Sequence, residues 1–403
     1  MQLLYDIGIR LMSAGIRIHS LFNPKSKSFV AGRKNVFDEL PDFTGKKVIW
    51  FHCASLGEFD QGLPLMEIIK EKQPEVFLLV TFFSPSGYEH YQKRNHSVDY
   101  ATYMPIDTKS NAKKFIAQVQ PEAVFFIKYE FWVNHIHELK KRGAKIYNVS
   151  GLFRKNHRFF KWYGSIFRKS LAQFDHFYVQ NAISKSLLES INIKNTTVTG
   201  DARFDQVIEN RNKSTSDPLL EKFKNNQEVV VIGSSWPEDE KVILNWVNSG
   251  KVKVLIAPHD VSQKNIKQLS SRLSTPYSLY TEIDENTVSN VNVIILDNIG
   301  MLSNAYSIGV AAYVGGGFSG SLHNILEPAA FGLPVIFGPK HSRFPEAQNF
   351  IDASIGFSIS NRFEFEQTMH YILKNQTSLS KDSMEFVEEN KGTSKAIYES
   401  INW

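Results

Sequence analysis

Short apolar runs recur along this chain, separated by stretches long enough to hold a helix. Val48 to Phe51, Val76 to Phe83, Ala123 to Ile127, Lys145 to Val149, Phe177 to Gln180 and Thr196 to Thr199 form a first set. Val229 to Ile232, Val252 to Ala257, Val293 to Leu296, Val310 to Val314 and Leu333 to Phe337 form a second. Runs this short and this continuously apolar suit strands buried on both faces, and intervening helices make βα units with a parallel sheet. Ile208 to Glu228 is polar with little apolar periodicity, which predicts a linker over 208–228. The pattern predicts an α/β fold: two doubly wound, Rossmann-like domains facing a cleft, 25–207 and 229–380, with helix over 381–403.

Residues 1–24 follow a different period. Gln2, Asp6, Arg10, Ser13, Arg17 and Ser20 fall at steps of three or four, a single polar stripe on a helix otherwise covered by Leu3, Leu4, Ile7, Leu11, Ile16, Ile18, Leu21 and Phe22. Three charges argue against a simple membrane span, and the lack of a basic n-region argues against a secretory signal. An interfacial helix is expected, with Lys25, Lys27, Arg33 and Lys34 adding attraction to an anionic membrane surface. The alternative is a helix packed on its own domain.

Composition adds bounds. The chain has 403 residues, 42% of them hydrophobic, enough for two cores. A lone cysteine, Cys53, excludes a disulfide framework. The net charge of +5 favours anionic partners such as phosphorylated ligands or lipid headgroups, and nucleic acid is not expected. His135 and His137 point to different faces of a helix and read as surface residues rather than metal ligands. No Asp-x-Asp pair or His/Cys cluster stands at a strand end, so no tightly bound metal is expected.

Candidate chemistry gathers where strands end. Gly315 to Gly317 follow the run Val310 to Val314 and precede a short helix beginning after His323 and Asn324, a place where freed backbone N–H groups hold an anion. A tight turn without a ligand is the alternative. Glu327 lies one helical turn beyond His323 and Asn324, where a carboxylate can accept from ribose hydroxyls. Ser234 and Ser235 end another strand and can donate to a phosphate, cap the following helix, or both. Glu58 sits between a strand and a helix, near a helix N-terminus that stabilises its ionised form. Glu130 falls just past a strand end, where Lys128 is expected to lower its pKa. Arg154, Lys155, His157, Arg158 and Lys161 interleave with Phe153, Phe159, Phe160, Trp162 and Tyr163. That mixture suits a surface meeting phosphorylated, partly apolar molecules, or an amphipathic helix with a basic face.

Together these motifs resemble those of the bacterial Kdo (3-deoxy-D-manno-oct-2-ulosonic acid) transferases, glycosyltransferases of the GT-B fold. The family's Ala-Ser-x-Gly-Glu matches Ala54, Ser55, Gly57 and Glu58, and its Glu-Leu-Trp-Pro-Asn matches at Glu130, Trp132 and Asn134. Its Gly-Asn/Asp-x-Lys-Phe-Asp matches Gly200, Asp201, Phe204 and Asp205, with Arg203 for Lys. Gly-Ser-Thr-x-x-x-Glu-Glu is similar to the stretch from Gly233, and the Gly-Gly, His-Asn, Glu-Pro-Ala-Ala series recurs at Gly316, Gly317, His323, Asn324 and Glu327. After Pro258, His259 stands where the family has a phosphate-binding Arg.

The resemblance implies transfer of Kdo from CMP-Kdo to a lipid A precursor (lipid IV-A) with inversion, at the cytoplasmic face of the bacterial inner membrane. Glu58 is then the catalytic base, while Ser55, Gly57, Glu130, Arg154 and Arg203 position the acceptor or Kdo. CMP falls to Ser234, Ser235, Pro258, His259, Gly316, Gly317, His323, Asn324 and Glu327. No cofactor is implied beyond the donor substrate, and the C-terminal helix packs back on the N-terminal domain. The alternatives are a GT-B transferase using a UDP- or GDP-sugar, and a non-catalytic membrane-associated sugar-nucleotide-binding protein.

Overall fold

The computed structural model describes residues 2–94 and 96–403. Met1, included in the N-terminal segment above, lies outside the described residues. The chain forms two compact units: residues 1–206 with 391–403, and residues 207–390.

Unit 1 opens with helices α1 (Gln2–His19) and α2 (Pro24–Ala31), followed by β1 (Val48–Cys53) and α3 (Leu56–Lys72). Then come β2 (Phe77–Phe82), β3 (Tyr100–Tyr103), β4 (Ala123–Ile127), β5 (Lys145–Gly151), β6 (His176–Val179) and β7 (Thr196–Val198), with helices between them. The order is β3-β2-β1-β4-β5-β6-β7, and every pairing is parallel. Helices cover both faces, which is why β1 and β4 are buried at every position. Trp50 and Phe126 fill the core on one face, Phe51 and Phe125 on the other. The chain leaves β1 in one direction to build β2 and β3, then returns to build β4 on its other side. Carboxyl ends at such a reversal flank a crevice, here bounded by the loops after β1 and β4.

Unit 2 repeats the principle. Its strands β8 (Val229–Ser235), β9 (Lys253–Pro258), β10 (Tyr277–Leu279), β11 (Val293–Ile295), β12 (Ala311–Val314), β13 (Val335–Phe337) and β14 (Gly356–Ser358) are ordered β10-β11-β9-β8-β12-β13-β14. The reversal lies between β8 and β12. Strands β10 and β14, three residues each, carry too few side chains to show a period and escape sequence reading.

Three expectations need correction. Residues 208–228 carry helices Arg203–Lys213 and Pro218–Lys224 rather than an open linker, and Leu220 and Phe223 are buried in the unit 2 core. The C-terminal segment is two helices, Gln376–Glu389 in unit 2 and Thr393–Ser400 in unit 1, parted by Gly392 at φ 94°. Asp205 accepts from the Gly392 and Ser394 amides at 2.5 and 2.7 Å, and Ile397 and Ile401 join the unit 1 core. His135 is buried, unlike the exposed His137, because Asp107 accepts from its Nδ1 at 2.5 Å.

Asp107 also fastens α1. Its carboxylate accepts from the Tyr5 hydroxyl at 2.6 Å and from the Asn134 and His135 amides at 3.1 and 3.0 Å, while the Asn134 side-chain amide donates to Asp6 at 2.9 Å. So part of the polar stripe of α1 faces its own unit. Ile9 is buried, and Leu3, Leu4, Ile7, Leu11, Ile18, Leu21 and Phe22 remain exposed. Just beyond α2, Arg33 donates to the carbonyls of Phe29, Phe83 and Met104 and lies 3.6 Å above the Phe29 ring. No described helix is long and apolar enough to cross a membrane.

Candidate active site

In unit 1, Ser55 is the N-cap residue of α3, and Glu58 lies in the first helical turn. Its carboxylate turns back to accept from the Ala54 amide at 2.5 Å, which holds it beside the end of β1. A Cβ on Gly57 would meet no atom within 4 Å, so this glycine leaves open space next to the carboxylate. The helix N-terminus does not keep Glu58 in the ordinary carboxylate range. Burial and the nearby Glu130 charge lift its pKa from 4.5 to about 7, outweighing the Ala54 N–H and the Lys128 charge.

Glu130 comes from the loop after β4. That loop turns on Lys128, whose φ of 59° is left-handed; its amide donates to the Val149 carbonyl at 2.9 Å, and its carbonyl accepts from the Asn148 side chain at 2.6 Å. The expected lowering of the Glu130 pKa by Lys128 is not found. Burial raises it, with Arg158 and a hydrogen bond from Trp132 opposing, whereas Lys128 acts on Glu58. Trp132 is steadied in turn, its indole N–H donating to His52 Nε2 at 2.9 Å.

Arg203, expected to meet an anion, is engaged with Asp201: Nε and Nη2 donate to one carboxylate oxygen at 2.9 and 2.6 Å. Gln61 of α3 donates to the other oxygen at 2.7 Å. Burial alone would raise the Asp201 pKa, but Arg203 and Lys128 outweigh it, so Asp201 stays below the usual range. The basic aromatic stretch is not one amphipathic helix: Phe153 and Phe159 are buried, while Trp162 stands 90% exposed. Arg154 lies on this stretch, close enough to Tyr129 and His157 to act on both electrostatically.

Unit 2 brings Ser234, Ser235 and the glycines together at the reversal between β8 and β12. A Cβ on Gly315 would fall 2.1 Å from the Ser234 carbonyl oxygen, and Gly316 has φ 89°, so a side chain is excluded where the two strand ends meet. Two of the donors expected to face a phosphate already have partners. The Gly316 amide donates to Asp239 at 2.9 Å, and the Ser235 hydroxyl to Glu240 at 3.4 Å. Asp239 also accepts from the Trp236 amide at 2.9 Å and the Tyr313 hydroxyl at 2.7 Å. Sequence reading missed this role: the acidic first turn Glu238, Asp239 and Glu240 reads only as a complement to the helix dipole.

Next to Pro258, His259 donates its amide to the Ser235 carbonyl at 2.9 Å and stacks on Trp236, with centroids 4.1 Å apart and planes 19° off parallel. The Trp236 indole donates to His323 Nε2 at 3.2 Å. Burial and the adjoining His259 lower the His323 pKa to about 4, consistent with a neutral ring that accepts this bond. Just ahead of the helix Leu326–Ala330, Asn324 accepts from the Leu326 amide at 3.1 Å, and that helix carries Glu327 in its first turn. Among the described residues there is no group of three or more His, Cys, Asp or Glu able to hold a metal ion.

Residues 30–206 match the family model described as 3-Deoxy-D-manno-octulosonic-acid transferase (kdotransferase). A 3-deoxy-D-manno-octulosonic acid transferase of Chlamydophila psittaci is 31% identical over 307 residues, 72% of this chain and 69% of that protein. A bifunctional glycosyltransferase/methyltransferase of Fusobacterium nucleatum is 25% identical over 382 residues; the match takes in 91% of this chain but only 58% of that protein's length. Among solved structures, UDP-GlcNAc 2-epimerase from Neisseria meningitidis bound to UDP-GlcNAc superposes with a TM-score of 0.61 over 88% of this chain and 98% of that one, at 13% identity. That likeness bears on fold alone, and the fold is GT-B. The family-model match and the Chlamydophila psittaci relative place this chain in the 3-deoxy-D-manno-octulosonic acid transferase family of glycosyltransferases.

Proposed function

We propose that this protein transfers Kdo from CMP-Kdo to a sugar hydroxyl of a lipid A precursor, with inversion at the anomeric carbon. Glu58 takes the hydroxyl proton as the oxygen attacks; the bond from the anomeric carbon to the CMP phosphate breaks, and its electron pair leaves with CMP. The observation that carries this reading is the Glu58 carboxylate, held by the Ala54 amide and raised to about 7 by burial and Glu130. A base with that pKa is unprotonated in part at neutral pH and gains affinity for a proton as the hydroxyl releases one.

On unit 2, the donor nucleotide is assigned to the reversal between β8 and β12, with Asn324 and Glu327 toward the ribose. Because Asp239 and Glu240 engage the Gly316 amide and the Ser235 hydroxyl, His259 is the favoured counterpart for the phosphate. Arg154 serves the acceptor's phosphates in this reading, and Arg203 acts through Asp201. CMP is a good leaving group once its phosphate is neutralised, so neither a protein acid nor a metal is required. The exposed apolar side of α1 is proposed to lie in the membrane interface, at the cytoplasmic face of the inner membrane.

The test is transfer from CMP-Kdo to a tetraacylated lipid A precursor in detergent, comparing wild type with Glu58→Gln. Product with wild type and a loss of about 10²–10⁴-fold in the variant is expected. If wild-type protein binds CMP-Kdo but yields no product, the acceptor assignment fails.

A further inference from the structure

The geometry points to a binding site for the phosphate headgroup of an anionic membrane lipid, in the groove where α1 and α2 meet the loop after β3. This rests on the proposed interfacial placement of α1. Two cavities of about 420 and 380 Å³ adjoin there, sharing Ser13, Arg17 and Ile106. Arg10 and Asn111 extend the first, while Ile16, Val30 and Lys34 extend the second. No carboxylate lines either cavity. The nearest acidic residue on α1, Asp6, is engaged by Asn134 and by Lys109 at 3.1 Å. Among the described residues, neither Arg10 nor Arg17 has a side-chain hydrogen bond or ion pair.

The two guanidinium groups share an edge of α1, because seven residues amount to nearly two full turns. That edge borders the exposed stripe of Leu4, Leu11 and Ile18, which are 67%, 68% and 64% exposed. A phosphate between Arg10 and Arg17 would receive the paired N–H donation guanidinium groups supply, with Ser13 in reach as a further donor. Behind it, Ile16, Val30 and Phe29 offer an apolar wall suited to glycerol and the first acyl carbons rather than to a free anion. A headgroup bound here sits level with the stripe, as a lipid in the same leaflet requires.

Diffuse attraction predicts something different. Lys25 and Lys27 of α2 are as exposed as the arginines and lie outside both cavities, so neutralising them should cost as much if charge alone matters. The experiment is cosedimentation of the full chain with phosphatidylcholine vesicles, with and without phosphatidylglycerol. Wild type is compared with Arg10→Gln/Arg17→Gln, Lys25→Gln/Lys27→Gln and Leu4→Ser/Leu11→Ser, all checked for unchanged melting. The site predicts that the arginine pair abolishes most of a tenfold or larger preference for phosphatidylglycerol vesicles, at salt held constant, while the lysine pair costs less than about threefold. Equal losses from the two pairs overturn the site but leave the interfacial helix standing. Vesicle binding that survives the leucine variant undiminished, or wild type that binds no vesicles, overturns the interfacial reading and the site with it.

Discussion

The Asp239 carboxylate accepts from the Gly316 amide at 2.9 Å across 77 positions of sequence, tying helix Pro237–Val247 of unit 2 to its glycine loop. The same carboxylate holds Tyr313 and the Trp236 amide, so one side chain fixes the loop and the indole that stacks on His259. Asp239→Ala leaves buried donors without an acceptor. It is expected to destabilise unit 2 by about 2–4 kcal/mol, read as an earlier urea transition. In a variant population still folded, KM for CMP-Kdo should rise more than kcat falls.

The pH dependence follows from Glu58. A carboxyl lifted to about 7 is protonated below that pH and cannot act as a base, so kcat/KM should rise with pH to about 7 and then level. Glu130→Gln removes the like charge and should move this limb to lower pH. An unmoved limb in that variant would mean that Glu130 does not act on the base.

Stability runs the other way. Between its ordinary 4.5 and about 7, folded Glu58 holds more proton than unfolded Glu58, so its contribution declines as pH rises through that window. Glu58→Gln should therefore raise stability at pH 8 by at most about 3 kcal/mol while activity is lost. Melting curves at pH 5 and 8 check the sign: the variant's gain should be larger at the higher pH.

His323 gives a second pH signature. Its ring is half-buried, with the pKa lowered to about 4, so acid must protonate the nitrogen that accepts from Trp236. Folded His323 binds less proton than the unfolded residue between about 6.5 and 4, and unit 2 should lose stability as pH falls through that range. His323→Asn should flatten the loss in a pH series of urea transitions.

Chelation supplies a further check. If phosphate neutralisation by protein groups suffices, EDTA leaves the initial rate of transfer unchanged; a rate restored only by a divalent cation would refute the proposed absence of a cofactor.

Glu58, Glu130 and the glycine loop were legible because each follows an apolar run whose end marks the ligand side of a parallel sheet. Their electrostatics were not. The Glu58 pKa depends on burial and on Glu130, which a later strand brings near. His135 was misread because its partner, Asp107, lies 28 residues earlier on another loop. Arg203 is engaged by a carboxylate only two residues away, yet such a pair looks like two independent surface charges until Gln61 of α3 closes over Asp201. Local spacing shows where a group stands, and tertiary enclosure decides its protonation and partners.

The fastening of α1 has a practical corollary. Detergent competes for apolar contacts, whereas the Tyr5, Asp6 and Asn134 bonds around Asp107 are polar and shielded. If α1 lies in the membrane interface as proposed, extraction should therefore strip lipid from the outer side of the helix and leave its inner side seated. High salt, which weakens only the outer charges, should be a poor extractant by comparison.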